Sequence, residues 1–402
     1  MPAAPTISDV VVPLRTVDPD DRDDTDLQVL REVTGEARVV GLGESAHFTG
    51  EFTALRDRIL RFLVRELGFS AFVIESGLPE GLAVDRWVRG GPGELAEIAR
   101  HGISWSMGRC TEMHTQLGWM RDWNTTHPER QVGFYGMDVP GWLANPAPGV
   151  AACLDRLAPQ PGDAALRAAA DLGDPTGAHG WDASAAPAVP AGLYQQILRL
   201  VDRAETAGDR LAVQCARGAL AVLEFLEHGL YPGPGRNLRN EVMAENLRWI
   251  LDREQRVLVG GHNVHLQRSP SFDASAPIGA LLAPELGADL VLVGTTRGSV
   301  AVPDRDLDAP PSERYFLPAG EPEPAPAGTL DASLATTGHP IALLDLHRTP
   351  TNALGNAAAM QGAFGLDVEL DPHVAFDAVI HVDRITAAHG ALDHDTGDGD
   401  QP

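Results

Sequence analysis

The chain has 402 residues, and its 31 basic against 56 acidic side chains give a formal charge of −25. Every basic residue is an arginine; no lysine occurs. That excludes a Schiff-base lysine, covalently held pyridoxal phosphate, a phosphate-loop lysine and a lysine general base. The acidity also argues against nucleic acid, which needs a basic stripe.

Residues 1–30 read as an acidic N-terminal segment in which Asp18–Asp26 is solvated. Met1–Leu14 shows no basic stretch followed by an apolar one, so no leader peptide is expected. Short apolar runs at Ala37–Leu42, Ala71–Ile74, Gln131–Tyr135, Arg256–Val259, Asp289–Val293 and Pro340–Leu344 read as strands. Ala375–Val382 alternates apolar and polar residues and reads as an edge strand. Between them, Phe52, Leu55, Ile59, Phe62 and Leu63 fall at helical spacing within Glu51–Leu67. Glu112–Trp123 and Leu238–Leu251 are two further helices. This alternation predicts an α/β fold, a mostly parallel central sheet flanked by helices.

Hydrophobic content of 44% with 22% charged residues is that of a globular chain with a large core. Residues 31–148 and 237–390 are expected to form the α/β core. Residues 149–236 hold several helical segments and no convincing strand, and read as a helical insertion. A Pro- and Glu-rich loop spans Pro303–Gly328, and residues 391–402 read as a disordered acidic tail. Cys110, Cys153 and Cys215 are widely spaced and read as buried reduced thiols, consistent with a cytoplasmic location. No apolar run reaches the roughly 20 residues that span a bilayer, so no membrane partner is expected. Oligomeric state is not encoded legibly.

Ligands of open parallel sheets bind beyond the carboxyl ends of the strands. Four strands deliver ionisable groups there: Glu44 with His47, Glu75, Asp138, and His262 with His265. A single acid after a strand is more often a cap or turn former; the signal is the combination. A histidine beside carboxylates can act as general base on water, and a second histidine pair can donate to a developing oxyanion or protonate a leaving alkoxide. Hydrolysis of an ester or lactone needs little more. Arg56 and Arg239 are placed to contact carboxylates or substrate, though a solvated helix arginine fits the spacing equally well. Trp105, Trp119, Trp123, Trp142 and Trp181 concentrate in the first half; such residues can line an apolar cleft, but helical core packing is the commoner explanation.

Competing motifs weigh less. Gly41-x-Gly43-x-x-Ala46 imitates a dinucleotide fingerprint, but Glu44 would set a carboxylate beside the pyrophosphate. No G-x-S-x-G is present, which disfavours a serine hydrolase elbow. His262-x-x-His265 with Glu44 and Glu75 leaves a metallohydrolase as a minor reading; no cofactor and no metal are expected.

The run Gly43-Glu44-Ser45-Ala46-His47-Phe48-Thr49-Gly50-Glu51-Phe52, followed by Leu55-Arg56, resembles the opening motif of the erythromycin esterase family. Phe72-Val73-Ile74-Glu75, Gly133-Phe134-Tyr135-Gly136-Met137-Asp138, Arg239-Asn240-x-x-Met243-Ala244-x-Asn246 and Gly261-His262-Asn263-x-His265 agree with it. The resemblance implies a deep cleft between core and helical additions, and a small macrolide- or polyketide-like substrate. It implies hydrolysis of a lactone by activated water, without a covalent serine intermediate. His47 would be the base, with Glu44 and Glu75 positioning it or the water. His262, His265 and Arg56 would complete the site, and Asp138, Arg239 and Trp105 would face substrate. Phe48 and Gly50 depart from the glycine and arginine more usual in resistance esterases. The same acid–base set also serves a biosynthetic cyclase or lyase, which stays open here. An amino-sugar macrolide is cationic, so the net negative charge could aid its capture.

Overall fold

A computed structural model describes residues 5–390 except 106, 174–187, 230–232, 234, 271–273, 300–303, 306–314, 317–323, 356 and 363–366. The expected tail at 391–402, most of the Pro303–Gly328 loop, and Trp181 lie outside the described residues. The strands are β1 (Val11–Pro13), β2 (Val39–Glu44), β3 (Ala71–Gly77), β4 (Gly133–Asp138), β5 (Val257–His262), β6 (Leu290–Arg297), β7 (Asp304–Arg305), β8 (Tyr315–Phe316), β9 (Ile341–Asp345), β10 (Ala359–Gln361), β11 (Asp367–Glu369) and β12 (Ala378–Val382).

Eight of them form one sheet in the order β1-β9-β12-β6-β2-β5-β3-β4. β9 runs antiparallel to both of its neighbours, and the remaining pairs are parallel. β12, expected at an edge, is an interior strand between β9 and β6 with all five residues buried. Its alternating pattern arises from His381, which is buried and shares a 3.0 Å hydrogen bond with Thr296 on β6. The edges are instead β1 and β4.

The helices are α1 (Gln28–Thr34), α2 (Gly50–Leu67), α3 (Leu78–Val88), α4 (Leu95–Gly102), α5 (Thr111–Thr126), α6 (Ala147–Leu154), α7 (Asp163–Ala170), α8 (Leu193–Ala207), α9 (Arg210–His228), α10 (Leu238–Leu251), α11 (Asn263–Leu266), α12 (Ile278–Leu286), α13 (Leu330–Ala335) and α14 (Pro372–Ala375). α2 and α5 cover one face, packing Leu55, Ile59, Phe62 and Leu117 on Phe72, Phe134 and Leu258. α10 and α12 cover the other, with Leu247, Ile250 and Leu282 on Val73 and Val259. Helices on both faces bury the central strands twice, which is why those strands read as unbroken apolar runs.

α6 to α9 pack on one another around Val150, Cys153, Leu166, Ile197, Leu200 and Cys215. All three cysteines are buried and free. Leu157, Gln160, Leu166, Arg199, Leu200 and Arg203 line a hollow of about 560 Å³ on these helices. No helix among the described residues is long and apolar enough to cross a membrane.

The acidic segment before α1 is not simply solvated. Arg58, with no exposed side-chain surface, donates to both oxygens of Asp26 at 2.7 and 3.0 Å and to the carbonyl of Thr16. Arg61 pairs with Asp20 and Asp57, and Arg65 with Asp24. The aspartates thus clamp a row of arginines along α2, which the pattern of acids alone does not reveal.

Candidate active site

The strands run two or three residues farther than their apolar runs and carry the ionisable groups on their ends. β2 stops on Glu44 and β5 on His262, paired in register beside each other. Close approach holds the next turn. A Cβ on Gly43 would sit 2.1 Å from the amide oxygen of Asn263, so only glycine fits there. Asn263 in turn grips the backbone of Thr295 through both its amide atoms. Ser45 is tied on both sides, its N–H donating to Thr295 Oγ1 at 2.9 Å and its carbonyl accepting from Arg297 at 2.6 Å. Phe48, immediately after His47, takes a left-handed φ of +57°, and its carbonyl accepts from Ala388 at 2.7 Å. The loop bearing His47 is therefore locked to β6 and to the segment after β12.

Glu44 divides its two oxygens. One accepts from His47 Nδ1 at 2.6 Å and the other from Arg56 at 3.1 Å. A carboxylate on Nδ1 assigns the proton to that nitrogen and leaves the Nε2 lone pair free. The His47 side chain is 30% exposed, against 7% for Glu44 and 5% for Arg56. Arg56 also stacks over Phe72, its guanidinium carbon 5.5 Å from the ring centre.

A second network meets the first where the rings of His47 and His262 stand 5.0 Å apart at 61°. Arg239 is its hub. It donates to Asp138 at 2.6, 3.0 and 3.1 Å, to Glu75 at 2.7 Å and to His265 Nε2 at 3.2 Å. Glu75 also accepts from the His262 backbone at 2.9 Å. Trp105 lies under the guanidinium, 5.2 Å from ring centre to carbon, and its Nε1 approaches Asp138 at 3.4 Å.

The hydrogen bonds separate the two histidines. His265 Nδ1 meets the side-chain Oδ1 of Asn240 at 2.7 Å, so Nδ1 carries the proton and Nε2 accepts from Arg239. Both its nitrogens are occupied. His262 Nδ1 accepts from the Val264 amide at 3.2 Å, which places its proton on Nε2. That Nε2 is buried and finds no partner among the described residues. His262 is thus a neutral donor with its N–H uncommitted.

Electrostatics reinforce this division. Burial pushes His262 well below the ordinary imidazole range, helped by a charge on neighbouring His47. Burial likewise takes His265 down to about 4. Burial would lower His47 too, but the Glu44 hydrogen bond and the charges of Glu75 and Glu44 outweigh it and raise its pKa. Burial would raise Glu75, yet His265, Arg239, His47 and the His262 amide hold it well below the usual carboxylate range. Three carboxylates face two guanidiniums, so the surplus of negative charge favours the imidazolium that His47 becomes when it takes a proton.

Glu44, His47, Arg56, Glu75, Asp138, Arg239, His262 and His265 meet in this cluster, with Trp105 on its border; Trp119 and Trp123 instead stack on each other away from it. Arg56, Asp138 and Arg239 are almost wholly buried; Asp138 and Arg239 pair with each other, and Arg56 pairs with Glu44 through one terminal nitrogen. None of the side chains lining the hollow on α6–α8 belongs to the cluster. Among the described residues no three His, Cys, Asp or Glu side chains are grouped so as to hold a metal. Glu44 and Glu75 already serve guanidiniums and histidine, which leaves the His262-x-x-His265 pair without a third ligand. Sequence reasoning missed Thr295, Arg297 and Glu80, and it named Trp142 only within the group of tryptophans. Asn240 and Asn263 stood within recognised motifs, whereas Arg297 sits on β6 with no local signal.

A family model for erythromycin esterase matches residues 64–385. The chain is 26% identical over 337 residues to erythromycin esterase type II of Escherichia coli, covering 72% of this chain and 76% of that one. Among solved structures, a Bacillus cereus protein superposes with a TM-score of 0.74 at 19% identity, over 95% of this chain and 97% of the other. A mutant of the erythromycin esterase EreC in its open conformation gives 0.72 at 20% identity, over 92% and 97%. These two share the fold. The matched stretch begins after Glu44 and His47, so the placement of those two residues rests on the geometry described above. The chain belongs to the erythromycin esterase family.

Proposed function

We propose that the protein hydrolyses an ester or lactone by general-base activation of water, with a macrolide lactone as the substrate class. The observation that carries this reading is the His47–Glu44 pair. His47 is the most exposed of the histidines and carboxylates in the cluster, its proton is parked on the carboxylate side, and its Nε2 lone pair is free. Water bound at Nε2 gives up a proton as its oxygen attacks the carbonyl carbon, and the local deficit of positive charge stabilises the imidazolium.

The developing oxyanion needs a donor, and His262 Nε2–H is buried beside His47 with no competing acceptor among the described residues. Collapse of the tetrahedral intermediate breaks the bond to the alkoxide oxygen, and the His47 imidazolium returns the proton to it. Arg56 holds Glu44, and Arg239 holds Glu75 and Asp138; both act as positioning residues. The macrolide assignment draws on the relative in Escherichia coli, an erythromycin esterase type II.

The test is turnover of erythromycin in water enriched in heavy oxygen. Hydrolysis gives a product one water heavier, with label in the carboxylate. A product of unchanged mass, without label, supports the cyclase or lyase reading instead. Loss of turnover in His47→Ala with erythromycin still bound supports the base assignment, and retained turnover refutes it.

A further inference from the structure

Left-handed backbone outside glycine is concentrated around this cluster. Trp105, Trp142 and Leu143 adopt φ of +62°, +53° and +67°, and Gly141 before them +59°. A run of three such residues is not a low-energy accident, because each non-glycine member crowds its Cβ against the following carbonyl. The surroundings over-determine it. Glu80 accepts from the Gly141 amide at 2.7 Å, and Leu143 is buried with Val139, Val222, Phe225 and Leu238 between β4 and α9. With Leu143 driven inward, Trp142 is left half-buried on the outer side of the turn. Its ring centre lies 5.5 Å from that of Trp105, also half-buried. Trp105 in turn rests on Arg239, the guanidinium that orients Glu75.

Resting on the lactonase reading, we propose that Trp142 is a specificity-determining residue. With Trp105 it forms an aromatic wall that packs against the aliphatic body of a bulky lactone while the carbonyl lies at His47. A half-exposed indole held by a strained turn and anchored from beneath presents a rigid apolar face with little entropy to lose on binding. Short-chain esters do not reach this wall. Their turnover depends on the His47 cluster alone.

The experiment measures binding separately from chemistry. Erythromycin is titrated by calorimetry into His47→Ala protein with and without Trp142→Gly. Glycine adopts the left-handed turn without a Cβ clash, so it keeps the loop while removing the ring. Burial of one large side chain scales to a loss of about tenfold or more in affinity, and Trp142→Phe should restore most of it. In otherwise unaltered protein, Trp142→Gly should raise KM for erythromycin with kcat within about twofold, and leave p-nitrophenyl acetate hydrolysis unchanged. Equal erythromycin affinity with and without the ring overturns the proposal, as does an equal loss on both substrates. Absence of lactone opening by the unaltered protein defeats the lactonase reading instead, and the binding comparison is still decided.

Discussion

Replacing Arg239 with leucine tests whether the buried network is held by a single guanidinium. In the intact protein Arg239 makes four hydrogen bonds to Asp138 and Glu75, both almost entirely buried. After the substitution, Asp138 keeps the Val139 amide at 2.8 Å and the longer contact from Trp105. Glu75 keeps only the His262 amide and the edge of His265. Removing one partner of a buried ion pair costs about 3–5 kcal/mol. Two carboxylates share this guanidinium, so the upper end applies, a third or more of the roughly 5–15 kcal/mol typical of a folded domain.

The pH dependence gives the sharper readout. Glu75 is held below its ordinary pKa in the intact protein. It therefore contributes stability that is present above the usual carboxylate range and lost as pH falls through its depressed value. Without Arg239, the burial penalty on Glu75 loses a main opposing charge and its pKa rises. The variant then gains relative stability as acid protonates Glu75, and its deficit narrows between pH 8 and pH 5. Urea unfolding followed by far-ultraviolet circular dichroism at both pH values measures this. Arg239→Lys keeps the charge without the planar fork and should recover only part of the loss. A deficit below about 1 kcal/mol, or one that stays constant with pH, would refute the argument.

Other consequences follow from the same geometry. His47→Ala should lower kcat for erythromycin by about 10²–10⁴ with little change in KM. The intact enzyme's kcat/KM should rise with pH as His47 loses its proton, and Glu44→Gln, by removing the charge that raises that pKa, should move this limb to lower pH. Glu80 is pushed up to about 7, by burial first and then by Asp138, against the opposing hydrogen bond from Gly141. Its protonated form therefore contributes stability that is lost as pH rises through about 7, and Glu80→Gln, which keeps the Gly141 bond, should flatten a loss of about 3 kcal/mol in pH-dependent melting. Arg58→Ala should cost about 3–5 kcal/mol and speed tryptic cleavage after Arg15 and Arg22, because Asp26 loses its buried partner; unchanged cleavage counts against the clamp.

The α/β architecture was legible because double burial leaves strong apolar runs, and α10 lies where its spacing puts it. The rim was legible for a related reason: Glu44, Glu75, Asp138 and His262 follow directly on those runs. What the order of residues does not state is lateral position in a sheet. β12 looked like an edge because of His381, whose partner Thr296 is 85 residues away in the chain. The N-terminal aspartates looked solvated, although Arg58, Arg61 and Arg65 form a basic stripe at helical spacing that could have announced their partners. The division between His262 and His265 was out of reach, since it depends on which nitrogen meets Val264 or Asn240.

Between residues 15 and 26 lie six aspartates and two arginines, all ahead of the stretch that matches the family. Their grip on α2 makes the boundary of that match a poor place to cut. A chain beginning after Asp26 would bare Arg58, Arg61 and Arg65 as a cationic ridge on a molecule otherwise strongly negative. Such a surface attracts the acidic faces of other copies, so trimming this segment would turn an internal clasp into an invitation to self-association.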